Sequence, residues 1–220
     1  MKLHTIDTGF FKLDGGAMFG VVPKTMWQKL VPPDENNLCT WAMRCLLIED
    51  GKKLTLIDNG IGDKQDDKFL SHYHLHGNDT LDKSLAKLGF SRADITDVFL
   101  THLHFDHCGG SIIREGEKLK PAFENANYWS NEQHWQWAIA PNDREKASFL
   151  KENILPIQES GQLNFVETQD GVDFTDNVRI RFAFGHTDAM MLPQIQYKGR
   201  TIVYMADLLP SAAHLPLPQQ

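Results

Sequence analysis

The sequence is short of cysteine, of basic charge and of long apolar runs. Its three cysteines, Cys39, Cys45 and Cys108, are odd in number and stand at no framework spacing. They read as free thiols rather than a disulfide scaffold. Acidic residues outnumber basic ones by 29 to 22, the formal charge is −7, and Lys and Arg form no run. A nucleic-acid partner is therefore not expected, because phosphate binding leaves a basic patch. No apolar stretch approaches the roughly 20 residues of a membrane span. The opening Met1-Lys2-Leu3-His4-Thr5-Ile6-Asp7 has neither the apolar core nor the small-residue cleavage site of a signal peptide. These absences point to a cytoplasmic protein that acts on a small molecule and uses no membrane. The apolar fraction of 41% is ordinary, and 220 residues suffice for one domain with a sizeable core.

Strand patterns fall at both ends of the chain and helical ones between. Thr5 to Phe11, Arg44 to Glu49 and Lys53 to Asp58 read as strands, the last two joined by a turn at Asp50-Gly51. A long segment rich in Gly, Pro and large apolar residues runs from Gly15 to Pro33 and reads as a functional loop. Asp79 to Leu88 reads as a helix with Gly89 at its C-terminus. Asp97 to Thr101 is a short buried strand, Asn131 to Ala140 and Asp143 to Asn153 are helical, and Val178 to Phe184, Gln194 to Tyr197 and Thr201 to Met205 are strands.

Against that background, residues 101–110 stand out. Thr101-His102-Leu103-His104-Phe105-Asp106-His107-Cys108-Gly109-Gly110 packs three imidazoles and one carboxylate into six residues. A hydrophobic core does not need that density, whereas divalent metal ions do. His102 and His104 are two apart, so in extended backbone they face the same way and can share one metal. Asp106 and His107 follow at the turn and can serve a second. Gly109-Gly110 lets the backbone turn without Cβ clashes. Further along, His186 and Asp207 each lie just past a strand end, as His102 does. His186 would complete a three-histidine site and Asp207 is placed to bridge both ions. A bridging hydroxide would then be the nucleophile, since metal binding brings the pKa of water towards neutrality.

These residues resemble the metallo-β-lactamase superfamily. Thr-His-x-His-x-Asp-His-x-Gly-Gly at 101–110 matches its signature, Gly185-His186-Thr187 looks like its second motif and Ala206-Asp207 like its third. Leu56-Ile57-Asp58-Asn59-Gly60 looks like its early strand and turn, whose aspartate supports the metal loop from behind. The resemblance implies an α/β fold, an αββα four-layer sandwich with the metals at one edge between the sheets. Asp14 to Gly20, Arg44 to Ile48 and Asp207 to Ser211 are similar to the branch that holds N-acyl-homoserine lactone lactonases and methyl parathion hydrolase. That likeness implies one metal on His102, His104 and His186, a second on Asp106 and His107, and Asp207 between them. The branch usually takes its last second-site ligand from a histidine tens of residues further on. This sequence ends 13 residues after Asp207, and its one downstream histidine is His214. His214 is therefore either that ligand or a substrate contact. The expectation is a single metallo-hydrolase domain over 1–220 that lacks its C-terminal part, with a second metal site incomplete unless His214 or another group fills it.

The function expected is that of a binuclear metal-dependent hydrolase, with zinc as the first choice of metal and iron or manganese as alternatives. The substrate would be a lactone or ester, with Asp106 passing a proton to the leaving alkoxide. Phosphotriester or thioester hydrolysis on the same centre, or a catalytically incomplete metal-binding fragment, are the alternatives. A homodimer is expected from the branch. Other features have plainer readings. His72-x-His74-x-His76 reads as a loop without an acidic partner, Cys108 as a small packed residue, and Asp58 as a support rather than a ligand. Met18, Phe19, Trp27 and Phe105 are candidates for an apolar substrate wall or for core.

Overall fold

The computed structural model describes residues 1–217, so 218–220 of the expected domain lie outside the described residues. Strand β1 (Lys2–Asp14) pairs antiparallel with β2 (Leu38–Asp50) over most of their lengths. In β2 the period of two is plain: Cys39, Trp41, Met43, Cys45 and Leu47 are buried while Thr40, Ala42 and Arg44 are exposed. Between them the expected long loop carries two short helices, α1 (Gly15–Phe19), capped by the Asp14 carboxylate, and α2 (Lys24–Trp27). A turn at Gly51 returns the chain into β3 (Lys53–Ile57).

From β3 to the far edge of this sheet the strands pair in parallel, which requires crossovers. Helices α3 (Asp67–Ser71) and α4 (Leu81–Lys87) lie in the connection to β4 (Asp97–Phe99). Thr80 caps α4, so the helix starts at Leu81, two positions after the Asp79 start that the sequence predicts. The single turn α5 (Phe105–Cys108) and the hairpin of β5 (Ile112–Glu115) and β6 (Lys118–Pro121) precede β7 (Asn127–Asn131). Helices α6 (Glu132–Ile139) and α7 (Lys151–Glu159) lead to β8 (Leu163–Val166), completing a six-stranded sheet of order β1-β2-β3-β4-β7-β8. Strands β9 (Val172–Thr175), β10 (Val178–Ala183), β11 (Met190–Tyr197) and β12 (Arg200–Val203) form a second, antiparallel sheet.

The pleat sorts the core into layers. Ile48, Ile57 and Phe99 point from the large sheet to meet Val178, Ile180, Met191 and Ile195 of the small one. Their neighbours Leu47, Leu56 and Val98 point the other way, onto Leu85 of α4, Trp135 and Ala138 of α6, and Ile154 and Ile157 of α7. β3 and β4 are buried on both faces, as parallel strands under helices must be. A third cluster, with Phe11, Phe19, Trp27, Trp41, Ile61 and Phe105, ties the 15–37 segment to one edge. Among the described residues no helix is long and apolar enough to cross a membrane.

One expected helix is displaced. Residues 143–148 form turns, and α7 begins only at Lys151 and runs through Pro156. The Asn142 carboxamide accepts from the amides of Arg144 and Glu145, a local bond that competes with helix. The Ser148 carbonyl meanwhile accepts from Phe105 N, 2.9 Å away, which fastens this segment to the histidine-rich loop.

Trp27 is 1% exposed and stacks on Phe19 with ring centroids 5.0 Å apart. Trp27→Ala is expected to cost about 3–5 kcal/mol, measured by urea denaturation. A loss below about 1 kcal/mol would mean the 15–37 segment is not part of the cooperative core.

Candidate metal centre

Strands β3 and β4 are parallel neighbours, so the chain leaves both at the same edge. Asp58 follows β3 in the left-handed region, φ 57°, with its amide donating to Phe99 O at 2.9 Å. That turn aims its carboxylate, 1% exposed, under the loop that follows β4. Oδ1 accepts from Thr101 N at 2.9 Å, and Oδ2 from Thr101 Oγ1 at 2.8 Å and His107 Nδ1 at 2.9 Å. Asn59 N donates to His107 O at 2.9 Å. Both ends of the histidine loop are thus tied to one turn.

The glycine pair serves that tie in a way the sequence reading did not foresee. Gly109 has φ −60°, which any residue adopts. What forbids a side chain is proximity. A Cβ on Gly109 would run into the Ile61 carbonyl, and one on Gly110 into that of Asn59. Two backbones pack directly against each other here.

The fold brings His102, His104, Asp106, His107, His186 and Asp207 together. His102 is fully buried, its Nδ1 beside Thr101 Oγ1 at 3.1 Å, and its Nε2 has no hydrogen-bond partner. His104 Nδ1 lies 3.1 Å from His186 Nε2. Asp207 spans the cluster: Oδ1 is 3.2 Å from His107 Nε2, and Oδ2 is 3.2 Å from His186 Nε2 and 3.9 Å from His102 Nε2. Asp106 Oδ2 is 3.6 Å from His107 Nε2. Ligand atoms of His102, His104 and His186 lie within 4.8 Å of one another, as do those of His102, His107 and Asp207.

A divalent cation fits this donor set. A buried ring nitrogen without a partner costs about 1–3 kcal/mol, and His102 Nε2 points into the cluster with none. Burial, then the neighbouring imidazoles, push His102 well below the usual histidine range, so it is neutral and able to ligate. Burial opposes charge on His107, but Asp207 and Asp106 outweigh it and hold the imidazole well above its ordinary value. Burial would likewise raise Asp207, yet His107 and then His186 keep it ionised. Without a metal, a proton on His107 offsets only part of the charge of the two carboxylates, and a divalent cation in its place can offset all of it.

His214 is not brought into this cluster. Its Nδ1 lies 2.8 Å from Ser211 Oγ and its Nε2 donates to Met18 O at 3.1 Å, with the ring stacked on Phe19 at 4.4 Å. His72 to His76 stand elsewhere, with the His76 ring on Phe10 at 5.6 Å. The Cys108 thiol is buried and pushed up to about 12 by that burial. Phe19, Trp27 and Phe105 are buried in the core, Met18 lines both cavities beside Asp207, and Phe19 also reaches one of them. Two cavities flank Asp207. One of about 460 Å³ holds Phe11, Trp41, Met43, Asp106 and His107, and the other, about 580 Å³, holds Val21, Phe184, Leu208, Arg144 and His186.

Two residues near the centre carried no sequence signal. Glu145 Oε2 lies 3.9 Å from His104 Nε2 and accepts from the Trp137 indole at 3.0 Å. The His104 ring, then Trp137, hold this carboxyl low, to about 2. His134 stands behind Leu103. Its one local trace is its place three residues after Asn131, whose carboxamide caps α6 through the His134 amide.

Asp58→Ala is expected to lower zinc affinity about 10–100-fold, because it frees the His107 ring. Competition against a chromogenic chelator measures this, and unchanged affinity would show that the loop needs no such brace.

The model of the metallo-beta-lactamase superfamily matches residues 44–219. A probable metal-dependent hydrolase from Staphylococcus aureus is similar in structure, with a TM-score of 0.87 at 30% identity, over 97% of this chain and 75% of that one. AidC, a dizinc quorum-quenching lactonase, gives a TM-score of 0.72 at 24% identity over 95% of this chain and 74% of its own. AbOPH, a hydrolase in the beta lactamase superfamily, gives 0.71 at 21% identity over 94% and 70%. At those identities the last two share the fold. No curated protein matches the sequence. The family match takes in Asp58, the 102–110 loop, His186 and Asp207, on the α/β sandwich those residues led one to expect: the chain belongs to the metallo-beta-lactamase superfamily.

Proposed function

We propose that this metal-dependent hydrolase opens a lactone or ester on a pair of divalent ions. The observation that carries the reading is the Asp207 carboxylate, which offers one oxygen to His107 and the other to His186, each at 3.2 Å. His102, His104 and His186 would hold one ion, Asp106 and His107 the other, and Asp207 both. When bound, such ions polarise a carbonyl and make water nucleophilic near neutral pH. Zinc suits these nitrogen and carboxylate donors, as do iron and manganese.

The chain's own groups do the rest. Burial, opposed by His107 and reinforced by Asp207, raises the Asp106 carboxyl above the usual aspartate range. At the loaded centre the carboxylate would be a ligand, and its place beside His107, with Oδ2 3.6 Å from Nε2, is what suits it to pass a proton to the leaving alkoxide. Phe11, Trp41 and Met43 on one side of Asp207, and Val21, Phe184 and Leu208 on the other, offer apolar surface to the arms of an ester. AidC was solved with its N-hexanoyl-homoserine product, and another lactone hydrolase of this fold holds N-hexanoyl-L-homoserine at its catalytic metal centre, which supports a lactone as first substrate to try.

Ring opening releases an acid, so a pH indicator follows it. The zinc-loaded chain is expected to turn over acyl-homoserine lactones, with Asp106→Asn lowering kcat by about 10²–10⁴. Metal content is measured alongside, since Asp106 is also offered as a ligand. No turnover across short and long acyl chains in metal-loaded protein ends the lactone reading. Turnover of an aryl phosphotriester or a thioester instead would move the assignment to that substrate.

A further inference from the structure

His134 is fully buried on the first turn of α6 and takes no part in the chemistry above. Leu103 N donates to its Nε2 at 2.9 Å, and its Nδ1 lies 2.6 Å from the carbonyl oxygen of Asp188. An amide can only donate and a carbonyl only accept. The ring is therefore the neutral Nδ1–H tautomer, with both nitrogens occupied and none left for a metal.

The two partners matter because of where they sit. Leu103 lies between His102 and His104, and Asp188 lies two residues after His186. One imidazole thus joins the segment that carries two ligands to the segment that carries the third. Asn131 works beside it, accepting from His134 N at 2.8 Å and donating to Ala189 O at 2.9 Å. Ala189 itself is in the left-handed region, φ 48°, a conformation a non-glycine keeps only when its surroundings impose it. The backbone supplies one further link, Met191 N to Thr101 O at 2.9 Å. That link reaches only the start of the loop. In extended backbone the rings of His102 and His104 share a side, so a displaced Leu103 moves both.

We propose that His134 is a positioning residue, fixing the separation of His102, His104 and His186 through Leu103 and Asp188. The proposal rests on the reading that those three histidines hold a metal. Glutamine at 134 can keep an acceptor for Leu103 and a donor for Asp188, whereas leucine of similar bulk keeps neither.

Cobalt(II) titration of the wild-type chain, His134→Gln and His134→Leu tests this, with the visible spectrum as a readout of coordination geometry and thermal melting as the control for folding. The leucine variant is expected to bind cobalt about 10–100-fold more weakly, with altered visible bands, and the glutamine variant to recover most of the affinity and the wild-type spectrum. Leucine binding as tightly as wild type, or the two variants losing affinity equally, overturns the role of His134. A wild-type chain that takes up no cobalt overturns the metal reading beneath it, and the proposal with it. ¹⁵N NMR of the wild-type imidazole is independent of any variant's folding. It is expected to report the Nδ1–H tautomer at His134, and an Nε2–H tautomer or a charged ring there overturns the proposal.

Discussion

The buried carboxylate of Asp58 is the constraint on which the functional edge depends. A carboxylate that is 1% exposed is costly unless its oxygens are satisfied. Here they accept from the Thr101 amide, the Thr101 hydroxyl and the His107 ring. Those three donors stand at the two ends of the histidine loop. The bond to Nδ1 also leaves His107 Nε2 to face Asp207 and Asp106. The price is a non-glycine residue at φ 57° and a glycine pair that must lie bare against the turn after β3. Substitution of Asp58, Thr101, Gly109 or Gly110 would therefore reach the cluster without touching a ligand.

The cluster itself is a balance of like groups held closer than they would choose. Four imidazoles and two carboxylates converge at the mouth of a sandwich whose apolar layers cannot screen them. Burial and mutual repulsion keep His102 neutral, while Asp106 and Asp207 hold His107 charged. Such an arrangement is poor as a fold-stabilising network, because burial opposes every charge in it and the imidazoles around His102 repel a proton there. It becomes favourable once divalent charge replaces the proton, and that is the physical case for a metal.

Much of this was legible in the sequence, for a reason that can be stated. The loop of 102–107 is local, so its spacing carries its geometry, and His186 and Asp207 stand where strands end at the same edge. Asp58 was legible as a support through the resemblance of the strand before it and the turn after it to those of the superfamily. What escaped were contacts made across the fold. His134 and Glu145 reach the loop only because α6 and the 143–148 turns pack beside it, and no periodicity announces that. The expected helix over 143–153 failed for the same reason, its first part being tied to Phe105 by Ser148. Gly109 and Gly110 were expected to let the chain turn without Cβ clashes; the chain does turn over Gly109–Ser111, and the clash avoided is with the neighbouring backbone of Asn59 and Ile61. His214 stood open as ligand or substrate contact, and its ring is engaged with Ser211, Met18 and Phe19.

The central claim is that this edge is built for two divalent ions shared through Asp207. Elemental analysis of the chain, purified without chelator, tests it most directly. The account predicts close to two metal ions per chain, as expected when one carboxylate serves two adjacent sites. A content of one or less would contradict the two-ion reading and leave Asp207 as a ligand to a single metal.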